Sequence, residues 1–183
     1  MLGQRLRQTG ALPPKDHGPY LYVFNHASIL DTLILVSVID EFFAAVGKAE
    51  QFEIPLWGLL VRRWGVVPME RDCLERAIAS LESVGHALVE GRSVLIAPEG
   101  TRSPDGELLP FKKGAFHLAI NQGVPIVPIC IRGAHKAKRR GDWRITPSML
   151  SAHVGAPITP QPGESVEALR ARTRARLLAQ MKR

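Results

Sequence analysis

Short apolar runs alternate along this chain with longer stretches of helical spacing. Tyr20 to Asn25 predicts a strand, Ile29 to Asp40 a strongly apolar helix, and Phe43 to Gly47 a short strand. Pro55 to Trp64 predicts a short helix opened by proline, and Gly65 to Met69 a weak strand. From Leu74 to Glu90, apolar residues recur at Ile78, Leu81, Val84, Ala87 and Leu88, which is helical spacing, and Gly91 suits the helix end. Ser93 to Ala97 has the composition of a buried strand. A polar loop with Gly100, Pro104, Gly106 and Pro110 follows it. Gly114 to Asn121 predicts a helix with Gly123 just past its end, Val124 to Ile131 a β-branched strand, Leu150 to Val154 another, and Val166 to Met181 a last helix.

Strands alternating with helices predict an α/β fold: one domain over residues 1–183, with a central, largely parallel or mixed sheet flanked by helices. In such folds active groups gather in loops at the carboxyl ends of strands. A length of 183 residues is enough to bury a core without disulfide or metal staples. Hydrophobic content of 45% and charged content of 22% argue against disorder. No repeat or interdomain linker is visible.

Charge changes the picture. Lys and Arg outnumber Asp and Glu by 24 to 17, a net +7, with the excess in Arg132 to Arg144, around Arg62 and Arg63, and from Arg170 to Arg183. This balance suits an anionic partner such as lipid headgroups, nucleic acid or phosphorylated substrates, or else marks a solvated basic face. No nucleic-acid-binding motif is present, so a nucleic-acid partner is not expected. No apolar stretch is long enough to span a bilayer, and the first nineteen residues have no signal-peptide core. Contact with membranes is therefore expected from the surface. Cys73 and Cys130 match no metal-ligand spacing, so no metal is expected, and Cys130 reads as a buried thiol in a reducing compartment.

Two motifs carry candidate chemistry. The first is Asn25-His26-Ala27-Ser28-Ile29-Leu30-Asp31, between a strand and a helix. Imidazole is the natural base for deprotonating an alcohol near neutral pH, and a carboxylate on its far nitrogen fixes the tautomer. Residues five apart do not share a helix face. His26 is therefore expected in the turn before the helix, with Asp31 in the first turn folded back toward it. A competing reading makes Ser28 an N-cap and Asp31 a first-turn acid, which leaves only His26 unexplained. The second motif is Pro98-Glu99-Gly100-Thr101-Arg102-Ser103. Its glycine admits close backbone approach, its hydroxyls donate, Arg102 can grip a phosphate, and Glu99 can orient Arg102 or hold a hydroxyl. The alternative is a plain polar turn. Arg71 and Lys112 are further basic groups at loops near the same expected edge.

Together these residues resemble the glycerophospholipid acyltransferase family, whose best-known members acylate 1-acylglycerol 3-phosphate. Four ordered blocks align over roughly residues 20 to 160: Asn25-His26 through Asp31, Gly65 through Arg71, Pro98 through Ser103, and Val124-Pro125-Ile126-Val127-Pro128. The first and third blocks are the specific ones. Ala97 stands where the third block usually begins with Phe, and Pro68 and Met69 depart from the usual residues of the second. Many relatives also carry an N-terminal hydrophobic helical segment that this sequence lacks.

The resemblance implies that His26 is the general base and Asp31 orients it. It also implies a glycerol-phosphate site of Arg71, Glu99, Gly100, Thr101 and Arg102, and places Pro128 on the strand bordering the acyl site; Lys112, before a helix start, is a further candidate for the phosphate on the residue reading alone. Asn25, or backbone donors at the helix start, would stabilise the oxyanion. The cosubstrate would be acyl-CoA or an acyl carrier protein with no resident cofactor, and the acceptor a lysophospholipid. Another lysolipid, glycerol 3-phosphate, or a non-enzymatic phospholipid-binding module are the alternatives. Trp57 and Trp64, on the apolar segment that includes Leu56, Leu59 and Leu60 and is flanked by Arg62 and Arg63, suggest an interfacial anchor; the alternative is an ordinary buried helix. The expected location is cytoplasmic, on the inner face of a membrane.

Overall fold

The computed structural model describes residues 5–69 and 74–182, so Arg71 and Cys73 lie outside the described residues. Seven strands form one mixed sheet in the order β1-β7-β6-β2-β5-β3-β4. They are β1 Arg5–Thr9, β2 Leu21–Phe24, β3 Phe43–Lys48, β4 Val67–Met69, β5 Ser93–Ile96, β6 Ile126–Arg132 and β7 Met149–Val154. From β6 to β4 all neighbours are parallel; β7 runs antiparallel to β6, and β1 is parallel to β7. The helices are α1 Leu30–Val38, α2 Trp57–Arg63, α3 Leu74–Val89, α4 Gly114–Gln122, α5 Ala134–Ala137 and α6 Val166–Met181.

Side chains alternate across the sheet and so feed two cores. Leu21 and Val23 of β2 pack with Val84, Phe116, Leu169 and Leu177 from α3, α4 and α6. Tyr22 and Phe24 face the other way, toward Leu35 and Val38 of α1 and toward Val127, Ile129 and Ala152. Cys130 is a free thiol in the first core, where burial pushes its pKa up to about 11.

Most expected elements are present, within the usual scatter at their ends. Strand β4 starts two residues later than expected, and α1 is shorter at both ends. β1 was not expected at all. It is an edge strand exposed on nearly its whole length, with Arg5 and Arg7 outward, so it has no apolar alternation to read. The helix expected from Pro55 begins only at Trp57. Before it Leu56 takes φ +62°, a left-handed conformation unusual for leucine.

α2 lies directly on a turn of 3₁₀ helix at Ala49–Glu53: a Cβ at Gly58 would sit 2.2 Å from the Phe52 carbonyl oxygen. Gly58→Ala should therefore push α2 outward and destabilise the protein by about 1–3 kcal/mol, read as a lowered midpoint in denaturant unfolding. An unchanged midpoint would show that the helix does not rest on this backbone.

Candidate active site

β5, β2 and β6 are adjacent and parallel, so their carboxyl ends open at one edge of the sheet. β2 leads into Asn25 and His26, β5 into Pro98 and Glu99, and β6 into Gly133. The two specific motifs meet here.

His26 lies in the turn before α1 and Asp31 in its first turn, and the imidazole Nδ1 is 2.8 Å from Asp31 Oδ2. The same oxygen accepts the backbone N–H groups of Ala27 at 2.7 Å and Ser28 at 2.8 Å. An oxygen receiving those donors is an acceptor, so Nδ1 carries the proton and Nε2 the lone pair. The Asp31 side chain is only 1% exposed, whereas that of His26 is 23% exposed. The ring also stands edge-on to Phe24. Among the described residues no hydrogen bond engages Nε2. Ile29 already has helical dihedrals, which leaves Ser28 at the cap position. Ser28 Oγ accepts from Leu30 N–H at 3.3 Å and donates to the Lys138 carbonyl at 2.8 Å. The capping and imidazole-orienting readings are both realised, by one carboxylate.

The Glu-Gly-Thr-Arg loop is fastened to the backbone of His26 itself. Glu99 Oε1 accepts the His26 N–H at 2.7 Å, Glu99 Oε2 accepts the Leu109 N–H at 2.9 Å, and Ser103 N–H donates to the His26 carbonyl at 2.7 Å. Both oxygens of this buried carboxylate accept a backbone N–H, and among the described residues no hydrogen bond joins Arg102 to Glu99. Burial raises its pKa, against the two N–H donors and His26, which lower it; Asp31 adds to the rise.

Asn25 also departs from expectation. Its amide donates to the Ile131 carbonyl at 2.8 Å and accepts the Ile131 N–H at 2.7 Å, a clamp that continues the β2–β6 pairing by side chain. The backbone donors at the helix start are similarly taken: His26 by Glu99, Ala27 and Ser28 by Asp31, Leu30 by Ser28. Among the described residues the helix-start donors are thus committed within the protein, apart from the Ile29 N–H, and one N–H of the Asn25 amide is taken by Ile131.

Three candidates remain on the open side of the loop. Gly100 takes φ +74°, and the stem of Lys112 lies against it, with Cε 2.9 Å from where a Cβ would be. Only glycine fits there. Thr101 is exposed and Arg102 half-buried, and no hydrogen bond or ion pair occupies the Arg102 guanidinium among the described residues. Pro128 lies elsewhere: it is buried in mid-strand opposite Val23, three residues short of His26, and accepts a hydrogen bond from Gly155. Trp57 opens α2 and Trp64 follows its last residue; Leu59 and Leu60 within the helix and Leu56 just before it are exposed, with Leu56 at 79%. The alternative of an ordinary buried helix is excluded for this face. Among the described residues no cluster of three or more His, Cys, Asp or Glu side chains could hold a metal.

With this fold and this site, the chain belongs to the acyltransferase family, whose model matches residues 5–132. Among curated relatives it is 36% identical to the 1-acyl-sn-glycerol-3-phosphate acyltransferase of Cocos nucifera, over 75% of this chain and 45% of that protein. It is 34% identical to the alpha enzyme of that name from Homo sapiens, over 86% of this chain and 56% of the relative. The chain thus spans about half the length of these relatives. The crystal structure of the 1-acyl-sn-glycerophosphate (LPA) acyltransferase from Thermotoga maritima superposes with a TM-score of 0.87 at 27% identity, covering 99% of this chain and 72% of that one.

The raised pKa of Glu99 has a testable sign. A carboxyl whose folded pKa lies above its ordinary 4.5 contributes stability that is fully present below pH 4.5 and lost as pH rises through the folded value. Glu99→Gln does not titrate. The stability difference between wild type and this variant, from urea unfolding at a series of pH values, should therefore move in the variant's favour as pH rises from 4.5 and then level off. A difference independent of pH would contradict the burial of a titrating carboxyl.

Proposed function

We propose that this chain transfers a fatty acyl group from a thioester, acyl-CoA or an acyl carrier protein, to the free hydroxyl of 1-acylglycerol 3-phosphate, giving phosphatidic acid. One observation supports this above the others: an imidazole held at Nδ1 by a buried carboxylate sits on a turn hydrogen-bonded to the loop that carries Arg102, and Lys112 is bonded to the start of that loop. The names of the relatives point to the same acceptor.

The proposed reaction has the following steps. The phosphate of the acceptor sits against Arg102 and Lys112, with Thr101 as a hydroxyl donor; charge-assisted contacts of this kind are strong and directional. Nε2 takes the proton of the acceptor hydroxyl as that oxygen attacks the thioester carbonyl. The new C–O bond forms, the tetrahedral intermediate collapses, and the C–S bond breaks. The imidazolium returns its proton to the departing thiolate. Asp31 stabilises the imidazolium and holds the ring throughout. Ser28 is not a nucleophile in this scheme, because its hydroxyl is occupied by Leu30 and Lys138.

The acceptor is amphiphilic, so the site must meet lipid. No helix of the described residues is long and apolar enough to cross a membrane. α2 and the residue after it instead expose Trp57, Leu59, Leu60 and Trp64, with Arg62 and Arg63 in the last turn of the helix, the make-up of an interfacial helix on an anionic surface.

His26→Ala removes the base and leaves two N–H donors on Asp31. Thiol release from acyl-CoA with lysophosphatidic acid should fall about 10²–10⁴-fold with the unfolding midpoint nearly unchanged. Undiminished turnover would refute the assignment. Arg102→Ala should raise KM for lysophosphatidic acid roughly ten-fold or more, the loss of a charged hydrogen bond, with KM for the donor unchanged. Equal rises for both substrates would remove Arg102 from the phosphate site. Running glycerol 3-phosphate alongside decides between the two acceptors.

A further inference from the structure

The connection from β6 to β7 is unlike any other surface of the molecule. Because β7 runs antiparallel to β6, the chain leaves and re-enters the sheet at the same edge, the one on which His26 lies. Everything between Arg132 and Met149 is therefore carried on the active-site side.

This connection holds six of the chain's basic residues between positions 132 and 144 (Arg132, Lys136, Lys138, Arg139, Arg140 and Arg144) against one acid, Asp142. Asp142 pairs with Arg144, and the Lys138 amine turns inward onto the Asp142 carbonyl. Lys136, Arg139 and Arg140 are exposed, and no hydrogen bond or ion pair engages their side chains among the described residues. At the tip stands Trp143, 87% exposed, which no core residue covers. A hydrogen bond ties the connection to the catalytic turn: Ser28 Oγ donates to the Lys138 carbonyl at 2.8 Å. From Ser28 an exposed apolar stripe continues along α1 through Ile29, Leu33 and Val36, at helical spacing.

We infer that the Arg132–Arg144 connection, with Trp143 at its tip, is a second lipid-binding element that seats the mouth of the His26 site on an anionic membrane surface. Free cations beside an exposed tryptophan suit the headgroup layer, where charge and an amphipathic ring are both satisfied. The adjoining apolar stripe on α1 favours lipid over the phosphates of a soluble donor or an acidic carrier protein, neither of which would cover it. α2 follows β3, on the other side of β2 in the sheet, so the two elements flank the site and fix its tilt. The inference rests on a lipid-borne acceptor, but its test reads binding without turnover.

The full chain is floated with phosphatidylcholine vesicles with and without phosphatidylglycerol. Each basic residue near an anionic surface multiplies partitioning roughly five-fold. Replacing Arg139 and Arg140 together by alanine should lower partitioning onto phosphatidylglycerol-containing vesicles roughly thirty-fold and leave that onto pure phosphatidylcholine unchanged. Trp143→Ala should weaken binding to both. Neither change touches a buried group, so the unfolding midpoint should hold. Turnover of a short-chain, monomeric lysophosphatidate should be unaffected by either change, while turnover of vesicle-borne acceptor falls. Unchanged flotation of both variants overturns the inference. So does retained flotation with a raised KM for acyl-CoA or acyl carrier protein, which would give the connection to the donor instead. Absence of any acyl transfer by the wild type would count against the proposed reaction and leave the flotation result standing by itself.

Discussion

One oxygen atom organises the site. Asp31 Oδ2 gathers the N–H groups of Ala27 and Ser28 and the Nδ1 of His26, all within 2.8 Å, in a place closed to solvent. Away from water these contacts have little competition, and an unpaired carboxylate there would be costly. The carboxylate therefore does two jobs at once. It completes the first turn of α1 by holding backbone donors that a helix leaves unsatisfied, and it sets the imidazole tautomer. Helix entry and ring orientation are not separable here, because a helix started one residue later would turn Asp31 away from His26.

The second constraint is that His26 is held by its own backbone as well as by its ring. Glu99 takes its N–H and Ser103 donates to its carbonyl, so the loop after β5 and the turn after β2 move as one body. Glu99 extends the coupling to Leu109, and Lys112 N–H donates to the Pro98 carbonyl. α6 joins from outside: Arg174 donates to the Leu108 carbonyl at 3.2 Å and Arg170 to that of Phe111 at 3.4 Å, on either side of the residue that Glu99 holds. The spacing between His26 and the loop after β5 is thus a property of the scaffold. Pre-set spacing of this kind is what converts a positioned base into rate.

Much of this was legible in the residues, and the failures have physical causes. Buried strands were readable because β2, β5 and β6 are apolar apart from Ser93 and Arg132 at their ends. α6 was readable because Ser165 caps it, accepting from Ala168 N–H, and its apolar positions recur in register. β1 was not, because an edge strand exposed on both faces leaves no hydrophobic signature. The His26–Asp31 pairing was legible as one of two readings of the spacing, since five residues fit a turn followed by a helix start, and the family resemblance favoured it. The contacts that the Asn25 and Glu99 side chains make were not legible. Nothing local to the sequence says that Asn25 reaches Ile131 or that Glu99 turns back to backbone, because both partners lie more than seventy residues away. Trp143 was passed over because a single aromatic in a basic run has no period; only its exposure distinguishes it.

The claim beneath all of this is that His26 presents a free lone pair at Nε2 because Asp31 holds the proton at Nδ1. The ¹⁵N shifts of the His26 ring, assigned by comparison with His26→Ala, test it most directly. At a pH where the ring is neutral, the account predicts the Nδ1-protonated tautomer in the wild type and loss of that preference in Asp31→Asn. A neutral ring protonated at Nε2, or a tautomer indifferent to Asp31, would contradict it.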